Sequence, residues 1–329
     1  MKIGIIGSGK FGVVLAQIAS ENKNNVLIFS RRENEVKSIN EKFESLSGAE
    51  FSHPAFLRAT SDIEDLNDLD AILVTIPSKD FRDVFNSLCI DSNKVKVVSC
   101  TKGFEESTGL LMTEILEKDH KISSKNLLVL SGPNLSKEIG NKELTGTIIA
   151  GEDEEFATKL GYALKNSYFI PFYSQDRYGV ELGGAMKNIY AIASGYFHEK
   201  GVGENTIGFL LTKSLEEMST YSQARGANPE TFLGLSGVGD FVSTALSRDS
   251  RNYLFGTYLA KGLSPSDAIQ KVGDTVEGYL ASKIVFEDAK QKGLDLKILT
   301  FINQIFDGPI ELEIAKETLI EDITKKTSR

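Results

Sequence analysis

Short apolar runs alternate with longer amphipathic stretches over the first half of the chain. Runs such as AILVTI and KVKVVS are largely apolar, as expected of strands that are covered on both faces of a sheet. Because this alternation is typical of α/β proteins, we expect a Rossmann-like domain with a doubly wound parallel sheet over residues 1–174. The predicted strands are Lys2–Ile6, Asn25–Phe29, Phe56–Ala59, Ala71–Ile76, Val95–Ser99, Leu127–Leu130 and Gly146–Ala150, with Tyr168–Pro171 as a candidate for the strand that closes the sheet.

After Ser174 the pattern changes, and apolar positions recur at spacings of three and four residues. Stretches such as YGVELGGAMKNIYAIASGYF and GFLLTKSLEEMSTYSQA carry this helical period. We therefore predict a mostly α-helical second domain over residues 175–329. A chain of 329 residues is longer than one hydrophobic core usually supports, which agrees with two domains.

The charge balance is acidic, with a formal net charge of −9 at pH 7. An acidic surface argues against nucleic acid or an anionic membrane as the main partner, so we expect a small-molecule ligand that is captured locally. Apolar runs stay below the roughly 18–20 residues that cross a bilayer, and the first residues do not resemble a secretion signal. Cys89 and Cys100 lie in apolar segments, which favours reduced, buried thiols and a cytoplasmic protein. No metal is expected, because the histidines have no spacing typical of a metal site: His53, His120 and His198.

The opening segment IGIIGSGKFGVVLAQIA places Gly7, Gly9 and Gly12 in a GxGxxG turn between a strand and a helix. In dinucleotide-binding folds the first glycine permits a tight turn, the second lets the pyrophosphate approach the backbone, and the third allows close helix packing. The start of the helix then offers backbone amides to the pyrophosphate. A purely structural turn is the alternative, but the strand and helix on either side favour a dinucleotide site.

The choice of cofactor depends on the end of the second predicted strand, where the chain reads FSRR. Folds that bind NAD often carry an acidic residue there for the ribose hydroxyls, whereas Arg31 and Arg32 suit a 2′-phosphate. The sequence therefore favours NADP over NAD, and a pair of solvated surface arginines is the alternative. Pro77 follows the fourth predicted strand, in a loop expected beneath the cofactor at the carboxyl edge of the sheet.

Seven segments resemble, in order and spacing, the NAD(P)-dependent glycerol-3-phosphate dehydrogenases of bacterial type. They are GSGKFG, IPS, CTKGFE, SGPNLSKE, ELGGAMKNIYAIASG, GLSGVGDFVSTALSRDSRN and VEG. The most specific part is the GGAxKN helix followed by GxGDxxxT and SRN. The resemblance implies an oxidoreductase that transfers hydride between NAD(P)H and dihydroxyacetone phosphate, giving sn-glycerol 3-phosphate for glycerophospholipid synthesis. It also implies a homodimer.

The same resemblance implies site residues in both predicted domains. For the cofactor these are Lys10, Phe11, Arg31, Arg32, Lys102, Ser136, Arg251, Val276 and Glu277. For the substrate they are Lys102, Gly132, Asn134, Asn188, Asp240, Ser250, Arg251 and Asn252. The chain departs from the commoner pattern at Phe11, where related chains often have tryptophan or tyrosine, and at Asn134, where they have serine or threonine. The VEGYLASK continuation is also atypical. These departures bear on affinity and cofactor choice more than on the class of reaction.

Hydride reduction of a ketone leaves negative charge growing on oxygen, so the site needs a proton donor and cationic support. Lys187 matches the proton acceptor of the family and lies in an otherwise apolar helix, where partial desolvation favours the neutral amine. A lysine that reaches out to solvent is the alternative. We expect Asp240 and Thr244, one helical turn apart, to orient Lys187, and Lys102 to add a second cation. Capping of its own helix is a further role for Asp240.

The SRDSRN segment concentrates hydrogen-bond donors in an acidic chain. Arg251 has the planar fork that suits a phosphate group, and Ser250 and Asn252 add further donors. A surface loop with solvated charges is the alternative. The donor cluster predicts an anion site.

Two other functional classes share parts of this pattern. A β-hydroxyacid dehydrogenase or ketopantoate reductase joins the same kinds of domain and also uses a lysine, but it recognises a carboxylate through different local sequences. A noncatalytic NAD(P)H-sensing protein would keep the fold while its catalytic groups eroded. The joint presence of Lys187, Lys102, Asp240 and Arg251 favours catalysis on a phosphorylated substrate.

Overall fold

The computed structural model describes residues 1–88, 95–317 and 319–320. The chain forms two compact units, Met1–Glu181 and Leu182–Arg329. None of the helices in the described ranges is long and apolar enough to cross a lipid bilayer. Cys100 is buried with a free thiol, whereas Cys89 lies outside the described residues.

The first unit is built on a single sheet, and each predicted apolar run overlaps one of its strands. The first two runs match the observed bounds at both ends, and the others shift by one to three residues at an end. The strands are β1 (Lys2–Ile6), β2 (Asn25–Phe29), β3 (Leu57–Thr60), β4 (Ala71–Val74), β5 (Lys96–Ser99), β6 (Leu127–Ser131), β7 (Thr145–Gly151) and β8 (Phe169–Ser174).

The strand order is β3-β2-β1-β4-β5-β6-β7-β8, with the change of direction along the sheet beside β1. From β3 through β6 all neighbours are parallel, which confirms the Rossmann-like prediction. The sheet is parallel except at one position, where β7 runs antiparallel to β6, and β8 then pairs parallel to β7. The physical reason lies in the connection, since its five-residue helix Ser136–Gly140 is too short to carry the chain back along the sheet.

Helices cover both faces of this sheet, as a doubly wound fold requires. Successive residues of β1 alternate between two cores, so that Ile5 packs in the cluster with Leu15 and Leu160, and Ile6 packs in the cluster with Phe81. The helices of this unit are α1 (Lys10–Glu21), α2 (Glu33–Lys42), α3 (Ser78–Ser87), α4 (Met112–Lys118), α5 (Ser136–Gly140) and α6 (Glu154–Leu164).

The second unit is mostly helical, as predicted. It contains α7 (Arg177–Glu199) from Leu182 onward, α8 (Glu204–Ala224), α9 (Asp240–Ala245), α10 (Arg251–Ala260), α11 (Pro265–Val272), α12 (Glu277–Gln291), α13 (Lys297–Gln304) and α14 (Leu312–Glu317). Helices α7 and α10 cross at two glycines. A Cβ added at Gly195 would lie 1.9 Å from the Tyr253 carbonyl oxygen, and one at Gly256 would lie 1.9 Å from that of Ile192. This close crossing fixes the central helix, which carries Lys187.

Candidate functional site

The glycine turn of the first unit has the geometry that a dinucleotide loop needs. Gly7 has φ +109°, a conformation that side chains disfavour. A Cβ added at Gly12 would lie 2.0 Å from the Gly7 carbonyl oxygen, so this position must lack a side chain for α1 to pack against the turn. At Gly9 an added Cβ would meet nothing within 4 Å, which leaves open space beside the backbone.

That open space faces a helix start with the right charge for a pyrophosphate. Helix α1 begins at Lys10 and has no acidic residue in its first turn. The first amides of a helix and its dipole attract anions, and Lys10, which is exposed, adds a positive charge. Phe11 is half-buried and packs against the core beneath the loop. These residues fit a bound dinucleotide.

Thr75 holds the loop in place, and the sequence analysis missed it. Its hydroxyl lies 3.1 Å from the Ile6 carbonyl oxygen and 3.0 Å from that of Gly7. A single threonine after a strand belongs to no motif. The contact becomes apparent only because β4 lies beside β1 in the sheet. Two residues later, Pro77 precedes α3 as its N-cap, at the carboxyl end of β4.

The two arginines after β2 occupy different environments. The Arg32 guanidinium donates to Ser8 Oγ at 3.0 Å and forms an ion pair with Glu35 at 3.4 Å. The Glu35 carboxylate is fully buried, and Ser8 Oγ is in turn 3.0 Å from Ser30 Oγ. Arg32 is therefore tied to the glycine loop although its side chain is 56% exposed, and Arg31 is also exposed.

A second polar group lies beside β6 and β7. The Lys102 ammonium donates to the Gly132 carbonyl oxygen at 2.9 Å. The Asn134 amide nitrogen donates to the Thr147 hydroxyl at 2.9 Å, and the Asn134 carbonyl oxygen Oδ1 is buried. Ser136 begins α5, two residues further on. Predicted site residues from two separate segments thus lie close to one another at this edge.

The second unit brings together the three residues expected at its catalytic centre. Lys187 is only 5% exposed and Asp240 is 0% exposed, and the ammonium forms an ion pair with the carboxylate. The Lys187 ammonium also donates to the Thr244 hydroxyl at 2.7 Å. Asp240 is the first residue of α9, where Gly239 holds the N-cap position, and its carboxylate forms the ion pair with Lys187. The alternative of a Lys187 side chain that extends into solvent is therefore wrong.

The two asparagines form a link between three helices. The Asn252 amide nitrogen donates to Asn188 Oδ1 at 2.9 Å, and Asn252 Oδ1 accepts from the Gly278 backbone amide at 2.9 Å. A Cβ at Gly278 would lie 2.3 Å from the Asn188 carbonyl oxygen. This link fixes the start of α12, where Val276 is the N-cap and Glu277 the first residue.

The neighbouring residues of the SRDSRN segment differ in burial. Ser250 caps α10, since its hydroxyl oxygen accepts from the Tyr253 amide at 3.3 Å. Arg251 is the first residue of that helix, and its guanidinium lies 3.1 Å from the Asp274 carboxylate. Both side chains are about half exposed, at 47% and 59%. Arg251 thus has a carboxylate partner that the sequence analysis did not identify.

One further, partly buried carboxylate lies near the catalytic helix. Glu217 on α8 accepts from the Ile298 and Leu299 backbone amides at 2.7 and 3.1 Å, and from the Tyr190 hydroxyl at 3.2 Å. Burial raises the pKa of Glu217 to about 7, although these hydrogen bonds oppose the shift. Tyr190 is on α7, one helical turn after Lys187, so the carboxylate supports the helix that carries the lysine.

Comparisons with known proteins agree with this geometry. A sequence model for the N-terminus of NAD-dependent glycerol-3-phosphate dehydrogenase matches residues 2–157, and one for its C-terminus matches residues 176–317. A glycerol-3-phosphate dehydrogenase (NAD(P)+) from Alcanivorax borkumensis is 41% identical over 318 residues, which cover 94% of this chain and 91% of the relative. One of the same name from Ectopseudomonas mendocina is 39% identical and covers 93% of this chain and 90% of the relative.

The fold is similar to that of a solved relative. The crystal structure of glycerol-3-phosphate dehydrogenase from Coxiella burnetii superposes with a TM-score of 0.87 at 27% identity. The match covers 98% of this chain and 99% of that protein. Two family models together span nearly the whole chain, and relatives are about 40% identical to it. Every residue of the candidate site lies within the matched region. This chain belongs to the NAD-dependent glycerol-3-phosphate dehydrogenase family.

Proposed function

We propose that the chain catalyses the reversible reduction of dihydroxyacetone phosphate to sn-glycerol 3-phosphate. The observation that carries this proposal is the buried Lys187 ammonium, held by Asp240 and Thr244 in a chain of this family. The nicotinamide cofactor supplies the hydride. The residues of the chain bind and orient the ligands and move one proton.

Lys187 acts as the general acid in the direction of reduction and as the general base in reverse. Its ammonium carries the proton that the developing alkoxide must receive, and its positive charge stabilises that oxygen. Asp240 favours the charged ammonium and fixes its direction, and Thr244 holds it from a second side. Lys102 adds cationic support on the first unit, where it also orders the Gly132 carbonyl.

The first unit binds the cofactor through the glycine loop and the residues around it. Gly7, Gly9 and Gly12 shape the turn, and Lys10 and the α1 amides bind the pyrophosphate. Arg31 binds the 2′-phosphate of NADP, with Arg32 holding the loop, so NADPH is preferred over NADH. The remaining cofactor contacts come from Phe11, Pro77, Lys102, Ser136, Arg251, Val276 and Glu277.

The substrate phosphate is bound by the start of α10. Arg251 offers a planar pair of donors, and Ser250 and Asn252 complete an anion site at a helix N-terminus. Asn188 acts beside them through its link to Asn252. Gly132, Asn134 and Lys102 bind the rest of the substrate from the first unit.

In the cell, this reaction supplies the glycerol phosphate backbone for glycerophospholipid synthesis. We propose that the enzyme works in the cytoplasm, where its cofactor and substrate are found, and that it forms a homodimer. Size-exclusion chromatography with light scattering measures that oligomeric state directly, and a monomeric mass would contradict the dimer.

Replacing Lys187 by alanine tests the proposed chemistry. Turnover of dihydroxyacetone phosphate should fall by about 10²–10⁴-fold, because the proton donor is lost, while NADPH affinity stays close to that of the native chain. Lys96→Ala is the matched control, since it also removes a lysine with low exposure from an ion pair, to Asp153 at 2.6 Å, and Lys96 is not one of the residues assigned to the site. Native turnover in Lys187→Ala would refute the acid/base role.

A further inference from the structure

The Arg82 side chain joins three segments of the first unit. Arg82 lies on α3, and its guanidinium forms ion pairs with Glu105, in the loop after β5, and with Asp119, at the end of α4. The contact with Glu105 has two points, since Nε faces one carboxylate oxygen and Nη2 lies 2.7 Å from the other. Such a planar, two-point contact fixes the direction of the carboxylate as well as its position.

The Glu105 residue holds together the loop that carries Lys102, which consists of residues 101–111 and is called the Lys102 loop below. Its carboxylate accepts from the Thr108 hydroxyl at 2.5 Å. Its backbone amide donates to the Leu110 carbonyl oxygen at 2.9 Å, and its carbonyl oxygen accepts from the Gly109 amide at 2.8 Å. Glu105 therefore closes the loop on itself, and the ion pair attaches the closed loop to α3.

The two carboxylates that share the Arg82 guanidinium differ in burial. Glu105 is 8% exposed, and the hydrogen bonds from Arg82 lower its pKa although burial acts in the opposite direction. This carboxylate is therefore charged at neutral pH and depends on its partner, because a buried charge without one is costly. The Asp119 side chain is 44% exposed, so water can solvate it when the guanidinium is removed.

The position of Lys102 in the loop depends on two anchors. On one side, the Thr101 hydroxyl donates to the Ile76 carbonyl oxygen, just after β4, at 2.8 Å. On the other side, three residues after Lys102, Glu105 is attached to α3 by the ion pair. The backbone of Lys102 thus lies between a fixed point on the sheet and a fixed point on a helix. Loss of the second anchor would let this short stretch shift.

Resting on the function proposed above, we propose that Arg82 is a positioning residue of the reaction. Through its two-point contact with Glu105 it holds the loop from which Lys102 brings its positive charge to the substrate. A displacement of about 1 Å at a reacting group can lower the rate by roughly a hundredfold, so a residue that prevents this displacement affects turnover without touching the substrate. The ion pair with Asp119 serves the fold alone.

The first test compares the two carboxylates. Glu105→Gln and Arg82→Gln should each lower kcat/KM for dihydroxyacetone phosphate by about ten- to a hundredfold, because the Lys102 loop loses its anchor. Asp119→Asn is the matched control, since it removes the other partner of the same guanidinium. It should stay within about twofold of the native chain, because that carboxylate is largely solvated. A loss in Asp119→Asn as large as that in Glu105→Gln would overturn the assignment.

The second test repeats the Arg82→Gln change in a chain that lacks Lys102. Lys102→Met lowers kcat/KM by itself, and a residue that acts only through Lys102 has no further effect in that background. The additional loss caused by Arg82→Gln should therefore shrink to less than about twofold. An ion pair that served only the overall fold would lower kcat/KM by the same factor in both backgrounds, and that result would overturn the proposal.

The Arg82→Lys variant covers the case in which Arg82→Gln does not fold. Lysine keeps the positive charge but lacks the planar fork, so this variant should fold and still lose about three- to tenfold in kcat/KM. That loss should also disappear in the Lys102→Met background. A native value of kcat/KM in Arg82→Lys would contradict the positioning role of the two-point contact.

Turnover by the native chain separates this proposal from the proposed reaction. If the native chain does not reduce dihydroxyacetone phosphate, the reaction is refuted, and the role of Arg82 in it is refuted as well. If the native chain reduces it and Arg82→Gln has the same kcat/KM and the same melting temperature, only the positioning role is refuted.

Discussion

The ion pair between Lys187 and Asp240 can be separated into its structural and chemical roles by three variants. They are Lys187→Met, Asp240→Asn and the double variant that carries both changes. Each single change leaves one charge buried without its partner, at positions that are 5% and 0% exposed. Breaking a buried pair in this way costs about 3–5 kcal/mol, so each single variant should unfold at markedly lower urea concentration.

The double variant leaves no unpaired charge. Its free energy of unfolding should therefore fall by less than the sum of the two single losses, with a coupling of roughly 0.5–3 kcal/mol. The Thr244 hydroxyl loses its bond to the ammonium in both variants that lack the lysine, so that loss does not affect the comparison. Turnover, in contrast, should be lost whenever Lys187 is absent, whatever the stability.

The assays are urea unfolding and steady-state reduction of dihydroxyacetone phosphate. Recovered stability without recovered turnover in the double variant is the expected result, since methionine and asparagine can fill the space but cannot donate the proton. Strictly additive losses of stability would show that the two groups do not depend on each other. Substantial turnover in Lys187→Met would show that another group supplies the proton.

Four further variants test the cofactor loop, the Glu217 carboxyl and the exposed ion pair. Gly12→Ala should lower the melting temperature, since its added carbon would lie 2.0 Å from a backbone oxygen and such overpacking costs about 1–3 kcal/mol. Gly9→Ala should keep the native melting temperature and weaken NADPH binding, because the added carbon meets no protein atom within 4 Å. Glu217→Gln should gain stability relative to the native chain as the pH rises from about 4.5 to about 7, by up to about 3 kcal/mol, and the difference should stay constant above that range. The pKa of Glu217 is about 7 against an ordinary 4.5, so the native fold favours the protonated carboxyl. The native chain therefore loses stability as the pH rises and this carboxyl becomes charged. Asp274→Asn should lower the KM for dihydroxyacetone phosphate by about two- to fivefold at low salt, since it frees Arg251 from an exposed ion pair of about 0.2–1 kcal/mol.

Each of these variants has an outcome that would count against its reasoning. Equal melting temperatures for Gly12→Ala and Gly9→Ala would mean that the loop can shift to accept a side chain. Parallel stability curves for Glu217→Gln and the native chain between about pH 5 and pH 8 would mean that the carboxyl titrates normally. An unchanged KM for Asp274→Asn at every salt concentration would mean that the carboxylate does not compete with the substrate phosphate.

The sequence predicted the fold where local pattern decides structure. Lys2–Ile6 and Asn25–Phe29 are apolar runs bounded by turn residues, and both match the observed strands at each end. The direction of Thr145–Gly151 could not be predicted in this way, because an apolar run looks the same in a parallel and an antiparallel strand. Only the short helix before it, Ser136–Gly140, hints at the reversal.

For the site, motif and spacing identified the catalytic residues, including a contact between two helices, and missed residues that hold the site without belonging to a motif. Asp240 and Thr244 are four residues apart, and the structure shows both on Lys187. Thr75, just after β4, and Thr147, on β7, each hold a site residue of a neighbouring segment, and a lone threonine in such a place has no sequence signal. Such partners become visible only once the order of the strands is known.

The central claim is the reduction of a phosphorylated ketone by a nicotinamide cofactor. The most direct measurement follows the absorbance of NADPH and, separately, of NADH as the native chain is mixed with dihydroxyacetone phosphate. Unphosphorylated dihydroxyacetone and ketopantoate serve as control substrates. We expect rapid oxidation that requires the phosphate and is faster with NADPH. No oxidation of either cofactor, in protein shown to bind it, would contradict the account.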